Sequence, residues 1–226
     1  TGKLSASIAH EINNPLYGIR SCLNHVLSSK DGVDHQFVML AIKETDRIAD
    51  LIRNMKTFYL PNEGGAQKIS INDAIRDVFI LNRKYLEERM VKWRFSPEGS
   101  YRIECVPDQI KQVFINIITN AAEAMPDGGE LFVTTSKSEE EGTVSISFKD
   151  TGVGIASDDL PQIFDMFYSK KPNVKGVGLG LSVSYGIIKR HGGNIDVRSL
   201  EGQGATFTVT LPEKTLWARQ MHLDLK

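Results

Sequence analysis

Apolar residues recur at spacings of three and four from the start of the chain: Leu4, Ile8, Ile12, Leu16, Ile19, Leu23 and Val26/Leu27. That period predicts a long amphipathic helix. Ser28-Ser29-Lys30-Asp31-Gly32 reads as a short turn, and a second helical stripe follows through Phe37, Leu40/Ala41, Thr45, Ile48, Leu51/Ile52, Met55 and Phe58/Tyr59. Two long helices joined by a tight turn form an antiparallel hairpin. Such a hairpin covers only one side of each stripe. A second copy completing a four-helix bundle is the simplest cover, so residues 1–60 are expected to make a homodimer. Pro61-Asn62-Glu63-Gly64-Gly65 combines a helix stop with two flexible residues, which sets a linker at 61–67.

From residue 68 to 213 the pattern changes to mixed α and β. Asn72 is expected to cap a helix through Ile75, Val78, Phe79 and Leu86. Strands are expected at Lys92–Phe95 and Tyr101–Cys105. Pro107 or Asp108 opens a helix through Val113, Ile117, Ala121 and Ala124, which closes at Pro126-Asp127-Gly128-Gly129. Leu131–Ser136 and Val144–Lys149 read as strands, the second alternating cleanly. A helix follows Gly176–Gly180 and ends at His191-Gly192-Gly193. Asn194–Ser199 and Ala205–Leu211 are closing strands. Helices grouped over a mixed sheet give an α+β sandwich, and the lack of regular βαβ alternation argues against a doubly wound dinucleotide fold. Residues 214–226 form a tail with Leu216, Trp217, Met221 and Leu223.

Composition narrows the function classes. The 226 residues are 41% hydrophobic and 24% charged, as in ordinary globular chains. Twenty-seven Lys+Arg against 28 Asp+Glu leave a net charge of −1, without the basic excess of a backbone-gripping nucleic-acid binder. Cys22 and Cys105 lie too far apart for a CxxC site and read as structural thiols in a reducing, cytoplasmic compartment. No apolar run approaches the ~18 residues a membrane span needs. Residue 1 is Thr and the helical pattern is already running by Leu4, so a fragment is expected, one whose full-length form could be anchored upstream.

Three glycine clusters carry candidate chemistry: Asp150-Thr151-Gly152-Val153-Gly154-Ile155, Gly176-Val177-Gly178-Leu179-Gly180, and Gly202-Gln203-Gly204. Each alone reads as a tight turn. Glycine also lets a ligand approach the backbone, and a glycine loop opening a helix offers N–H groups to phosphate. All three in one small domain point to a nucleotide. Asn116 and Asn120, at i and i+4, share a face of a mostly apolar helix. They are either core amides or oxygen donors for Mg²⁺. On the first helix, His10, Glu11, Asn14 and Pro15 cluster, with Asn14 on the face of His10 and Pro15 expected to bend the helix.

Taken in order, these segments resemble a sensor histidine kinase of two-component signalling over about residues 3–212. "HEINNPL" (His10–Leu16) looks like the H box, "QVFINIITNAAEAM" from Gln112 the N box, and "DTGVGI" from Asp150 the G1 box. "IFDMFYSKK" from Ile163 looks like the F box, "GVGLGLSVS" from Gly176 the G2 box, and "EGQGATFTV" from Glu201 the segment after it. "HEINNPL" and "SYGIIKRHGG" are similar to the nitrogen-regulation-like subgroup.

The resemblance implies a dimeric phosphoacceptor bundle followed by an ATP-binding sandwich of the histidine kinase, Hsp90 and gyrase type. It implies His10 as phosphoacceptor, Glu11 as its base and orienter, and Asn14 as the residue placing a water for dephosphorylation of a partner. Asn120 would ligate Mg²⁺ with Asn116 nearby. Asp150 would accept from the adenine amino group, Gly152 and Gly154 would admit the base, and Thr206 would join its water network. Gly176, Gly178 and Gly180 would end a lid over residues 165–180. Lys170 or Lys171 would pair with phosphate, and Phe164 and Phe167 would latch the lid. The phosphate recipient is expected to be a separate response regulator. Two rivals stand beside this reading. One is an ATPase of the same superfamily using Glu123. The other is an ATP-binding pseudokinase scaffold.

Overall fold

A computed structural model describes residues 2–28, 34–59, 65–168 and 178–214; of residues 2–11, 47, 50, 51 and 53–59 it describes the backbone only. The chain divides into two compact units. One comprises residues 1–60 with Met166–Leu179, and the other comprises 61–165 with 180–226. The Leu60/Pro61 boundary falls where the proline-glycine stretch begins.

The first unit is built on α1 (Gly2–Ser28) and α2 (His35–Tyr59). α1 runs as one element through Pro15, so the proline does not break it. The two helices approach closely where Gly18 faces Glu44: a Cβ at Gly18 would lie 3.5 Å from the Glu44 side chain. Further along, the His25 ring of α1 and the Phe37 ring of α2 meet with centroids 3.9 Å apart. Asp34 opens α2, accepting from the N–H of Gln36 at 2.9 Å through its carboxylate. Leu16, Leu23, Met39, Leu40, Ile42 and Ile52 stay exposed on the hairpin surface.

The second unit holds β1 (Gln67–Ser70), α3 (Ile71–Leu81), α4 (Arg83–Glu88), β2 (Val91–Pro97) and β3 (Arg102–Cys105). It continues with α5 (Pro107–Glu123), β4 (Gly129–Ser138), β5 (Thr143–Asp150), α6 (Gly180–Arg190), β6 (Asn194–Ser199) and β7 (Ala205–Pro212). Five strands form a mixed sheet in the order β2-β4-β5-β7-β6, parallel only between β2 and β4, while β1 and β3 pair separately. Period-two alternation decides which side is buried. Val144, Ile146 and Phe148 of β5 and Ala205, Phe207, Val209 and Leu211 of β7 are buried, while the residues between them are not. Onto that face pack Val113, Phe114, Ile117 and Ile118 of α5 and Val183, Ile187 and Ile188 of α6, all buried. This is the α+β sandwich expected from the sequence.

Two local expectations are corrected. The cap of α3 is Ser70, whose hydroxyl accepts from the Asp73 N–H, because Asn72 already lies inside the helix. Asn72 is buried instead, and its amide donates to the Gly99 carbonyl at 2.8 Å, tying α3 to the β2–β3 connection. The helix from this cap also ends at Leu81, and α4 restarts after Asn82, whose amide donates to the Val78 carbonyl. Strand β1, too short and polar to show a period, was not legible.

Candidate functional site

Asp150 ends β5 on the core face and is only 3% exposed. A carboxylate so placed needs donors. Its Oδ1 receives two, the N–H of Gly152 at 2.9 Å and the N–H of Ala205 at 3.1 Å. The loop following it packs on the end of α5, where the Val153 N–H donates to the Ala124 carbonyl at 2.9 Å. Asp150 and the asparagine helix are thereby brought to one place.

Two glycines make this packing possible. Gly154 has φ +71°, and a Cβ there would overlap the Leu200 carbonyl. Gly204 has φ +79°, and a Cβ there would overlap the Asp150 carbonyl. Any other residue at either position would meet both an unfavourable dihedral and a backbone clash. The Gly202 N–H closes the cluster by donating to the Val153 carbonyl at 2.7 Å.

Thr206 is not brought to Asp150. In the ladder Lys149 pairs with Thr206 and Phe148 with Phe207, so Thr206 shares the side of Lys149, opposite the buried face. The residue that meets Asp150 is Ala205, through its backbone N–H. A strand's period of two leaves no other outcome once the register is set.

The two asparagines of α5 differ. The Asn116 amide donates to the Gly180 carbonyl at 3.0 Å and to the Ser184 hydroxyl at 3.1 Å, and its carbonyl oxygen accepts from Gln112 at 2.9 Å. It joins α5 to the first turn of α6, and its oxygen is already engaged. Asn120 is half-buried, and among the described residues nothing hydrogen-bonds its side chain. An amide oxygen so presented suits a hard cation such as Mg²⁺.

At the glycine-rich segment, Phe164 packs on Tyr185 of α6 with ring centroids 5.2 Å apart. The Phe167 N–H donates to the Gly178 carbonyl at 3.0 Å, with Phe167 at φ 67°. Lys170, Lys171 and Gly176 lie outside the described residues. On α1, His10 and Glu11 are placed by backbone only, and their side chains lie outside the described residues. Asn14 is exposed one turn further on.

Three residues escaped the sequence reading. His191 is buried at the end of α6. Its Nε2 accepts from the Val106 N–H at 3.1 Å and its Nδ1 lies 2.8 Å from the Ile187 carbonyl. The first contact needs a lone pair and the second a proton, which fixes the neutral Nδ1–H tautomer. Burial, with a smaller contribution from Arg190, holds this imidazole below its ordinary pKa despite the opposing Ile187 bond. The other two are Ser184 and Ser199. Counting alternation inward from Ile195 and Val197 would have placed Ser199 on the core face. Glu123 faces α4: after burial itself, its charge raises the Tyr85 phenol, against the Arg89 guanidinium 3.9 Å over the ring.

Residues 1–64 match the His Kinase A (phospho-acceptor) domain. Residues 105–215 match the family described as histidine kinase-, DNA gyrase B-, and HSP90-like ATPase. The chain belongs to the sensor histidine kinases. It is 37% identical over 212 residues to sporulation kinase E of Bacillus subtilis (strain 168), covering 93% of this chain and 28% of that protein. It is 35% identical over 214 residues to sensor histidine kinase ZraS of Escherichia coli (strain K12), covering 93% and 45%. The chain thus spans less than half the length of these curated relatives. Among solved structures, the nucleotide-free catalytic domain of histidine kinase ThkA aligns with TM-score 0.60 at 29% identity over 66% of this chain and 96% of that one. The ThkA structure in complex with response regulator protein TrrA aligns with TM-score 0.77 at 24% identity over 94% and 61%, a likeness of fold. No helix among the described residues is long and apolar enough to cross a membrane.

Proposed function

We propose that this chain is the core of an ATP-dependent protein-histidine kinase that phosphorylates its own His10 and passes the phosphoryl group to an aspartate of a response regulator. The observation that carries the reading is Asp150: a buried carboxylate whose Oδ1 is held by two backbone N–H groups, in a loop cluster whose close backbone packing needs glycine at 154 and 204. Adenine has an amino donor where guanine has a carbonyl, so a fixed acceptor selects ATP.

Asn120 holds Mg²⁺ through its amide oxygen, and the bound ion supplies neutralisation of charge on the phosphates. Asn116 positions α6 and the end of the glycine segment. Gly152 and Gly154 bring the backbone to the base, and Gly176, Gly178 and Gly180 end the cover over the phosphates, with Lys170 or Lys171 pairing to them. Phosphoryl transfer is chiefly positioning and charge stabilisation. The imidazole of His10 attacks with a neutral ring nitrogen, Glu11 orients its other nitrogen, and Asn14 places a water for the reverse, phosphatase task. The exposed apolar residues of the hairpin are covered by a second copy, giving the homodimer. The finer, nitrogen-regulation-like assignment rests on His10–Leu16 and Ser184–Gly193 alone.

Incubation with γ-labelled ATP and magnesium tests the reading. The expected product is acid-labile, alkali-stable label on the chain, absent from His10→Gln and from Asp150→Asn. Steady ATP turnover without labelled protein would favour the superfamily ATPase with Glu123 as base. Binding with neither would leave a scaffold.

A further inference from the structure

We infer that Ser199 is a positioning residue for base recognition, acting on Asp150 through a single peptide unit. This rests on the proposed adenine role of Asp150 and deepens it. The Ser199 hydroxyl does two things. It accepts from the N–H of Ile155 at 2.9 Å, and it donates to the carbonyl of Gly204 at 2.7 Å. That carbonyl and the N–H of Ala205 belong to the same planar peptide. The Ala205 N–H is one of the two donors to Asp150 Oδ1, at 3.1 Å. Fixing one end of the plane fixes the other.

The register supports the path. Ser199 pairs with Ala205 across β6 and β7, and so lies with Ile195, Val197 and Phe207 on the buried side, the side of Asp150. Gly204 needs φ +79° and lies against the Asp150 carbonyl, a conformation that a freely turning peptide would not keep by itself. At its other contact, Ser199 holds Ile155, one residue past Gly154, whose Cα approaches the Leu200 carbonyl. One hydroxyl therefore ties the loop that follows Asp150 to the β6–β7 turn that crosses it. Without it, the carboxylate keeps its Gly152 donor but loses the support that holds the Ala205 N–H against it. A recognition defect is expected, beyond any loss of stability.

The test compares ADP with IDP, which carries a carbonyl in place of the adenine amino group, by calorimetric titration of the whole chain with magnesium. The chain itself is expected to prefer ADP. In Ser199→Ala the ADP-to-IDP preference should narrow by about fivefold, the scale of one hydrogen bond to a charged group's support. Ser199→Thr, which keeps the hydroxyl, should restore it. Should Ser199→Ala not fold, Ser199→Cys, a weaker donor of similar size, carries the same comparison. Equal weakening of ADP and IDP, with the preference intact, would overturn the inference and leave a structural hydroxyl. A wild-type chain that binds both equally would overturn the Asp150 reading, and the Ser199 inference with it.

Discussion

The Asn116 amide reaches across from α5 to the Ser184 hydroxyl of α6 at 3.1 Å, and both groups meet at the Gly180 carbonyl. An asparagine in the N-box-like segment is thus spent on holding two helices together, at the point where the glycine-rich segment becomes α6. Asn116→Ala should cost about 1–2 kcal/mol of stability, because Gly180 keeps its Ser184 donor while Gln112 loses an acceptor. Asn116→Asp should cost more, since a carboxylate oxygen would face the Gly180 carbonyl. Urea unfolding of both variants checks the order.

Among the described residues Asn120 has no such partners, and its substitution should behave differently. Asn120→Ala should leave the unfolding free energy from urea titration within about 0.5 kcal/mol of wild type, as for substitutions that break no internal network. Its ADP affinity should lose most of its dependence on magnesium, read by titration with and without the ion. Unchanged magnesium dependence would remove Asn120 from the metal.

Gly204→Ala and Gly154→Ala place a Cβ on a backbone carbonyl at positive φ. Each should destabilise the second unit by at least about 1–3 kcal/mol, the scale of backbone strain at such positions, and abolish measurable ADP binding. Gly142→Ala is the control: its φ is +60°, but open space surrounds it, so it should show a dihedral cost and keep ADP binding.

His191 gives a pH dependence with a definite sign. Burial depresses its folded pKa below the ordinary 6.5. Below pH 6.5 the unfolded chain takes up a proton that the folded chain resists. Stability present above that pH is therefore lost as the pH falls toward the folded value. Thermal midpoints should decline over that acid range, and His191→Gln should flatten that part of the curve.

Burial also pushes the Cys105 thiol up to about 12. With so little thiolate at pH 8, Cys105 should resist iodoacetamide until denaturant opens the second unit. Mass spectrometry of the labelled peptides reads this directly.

The sequence alone determined the periodic parts. Stripes at spacings of three and four from Leu4 and Phe37 specified α1 and α2, and alternation specified β5 and β7, because burial on one face repeats with the element's own period. It also marked the glycine clusters, since few residue types tolerate a positive φ or a close backbone approach, and the resemblance of the segment from Asp150 to the G1 box singled out Asp150. The tertiary structure decided what depends on meetings between distant segments. Register set the Ala205 N–H against Asp150 and turned Thr206 to the other side, and packing against α6 gave Asn116 a different task from Asn120. Folding also brought His191 to Val106, 85 positions away. A side chain's chemistry is set by what lies across from it, and no local period encodes that neighbour.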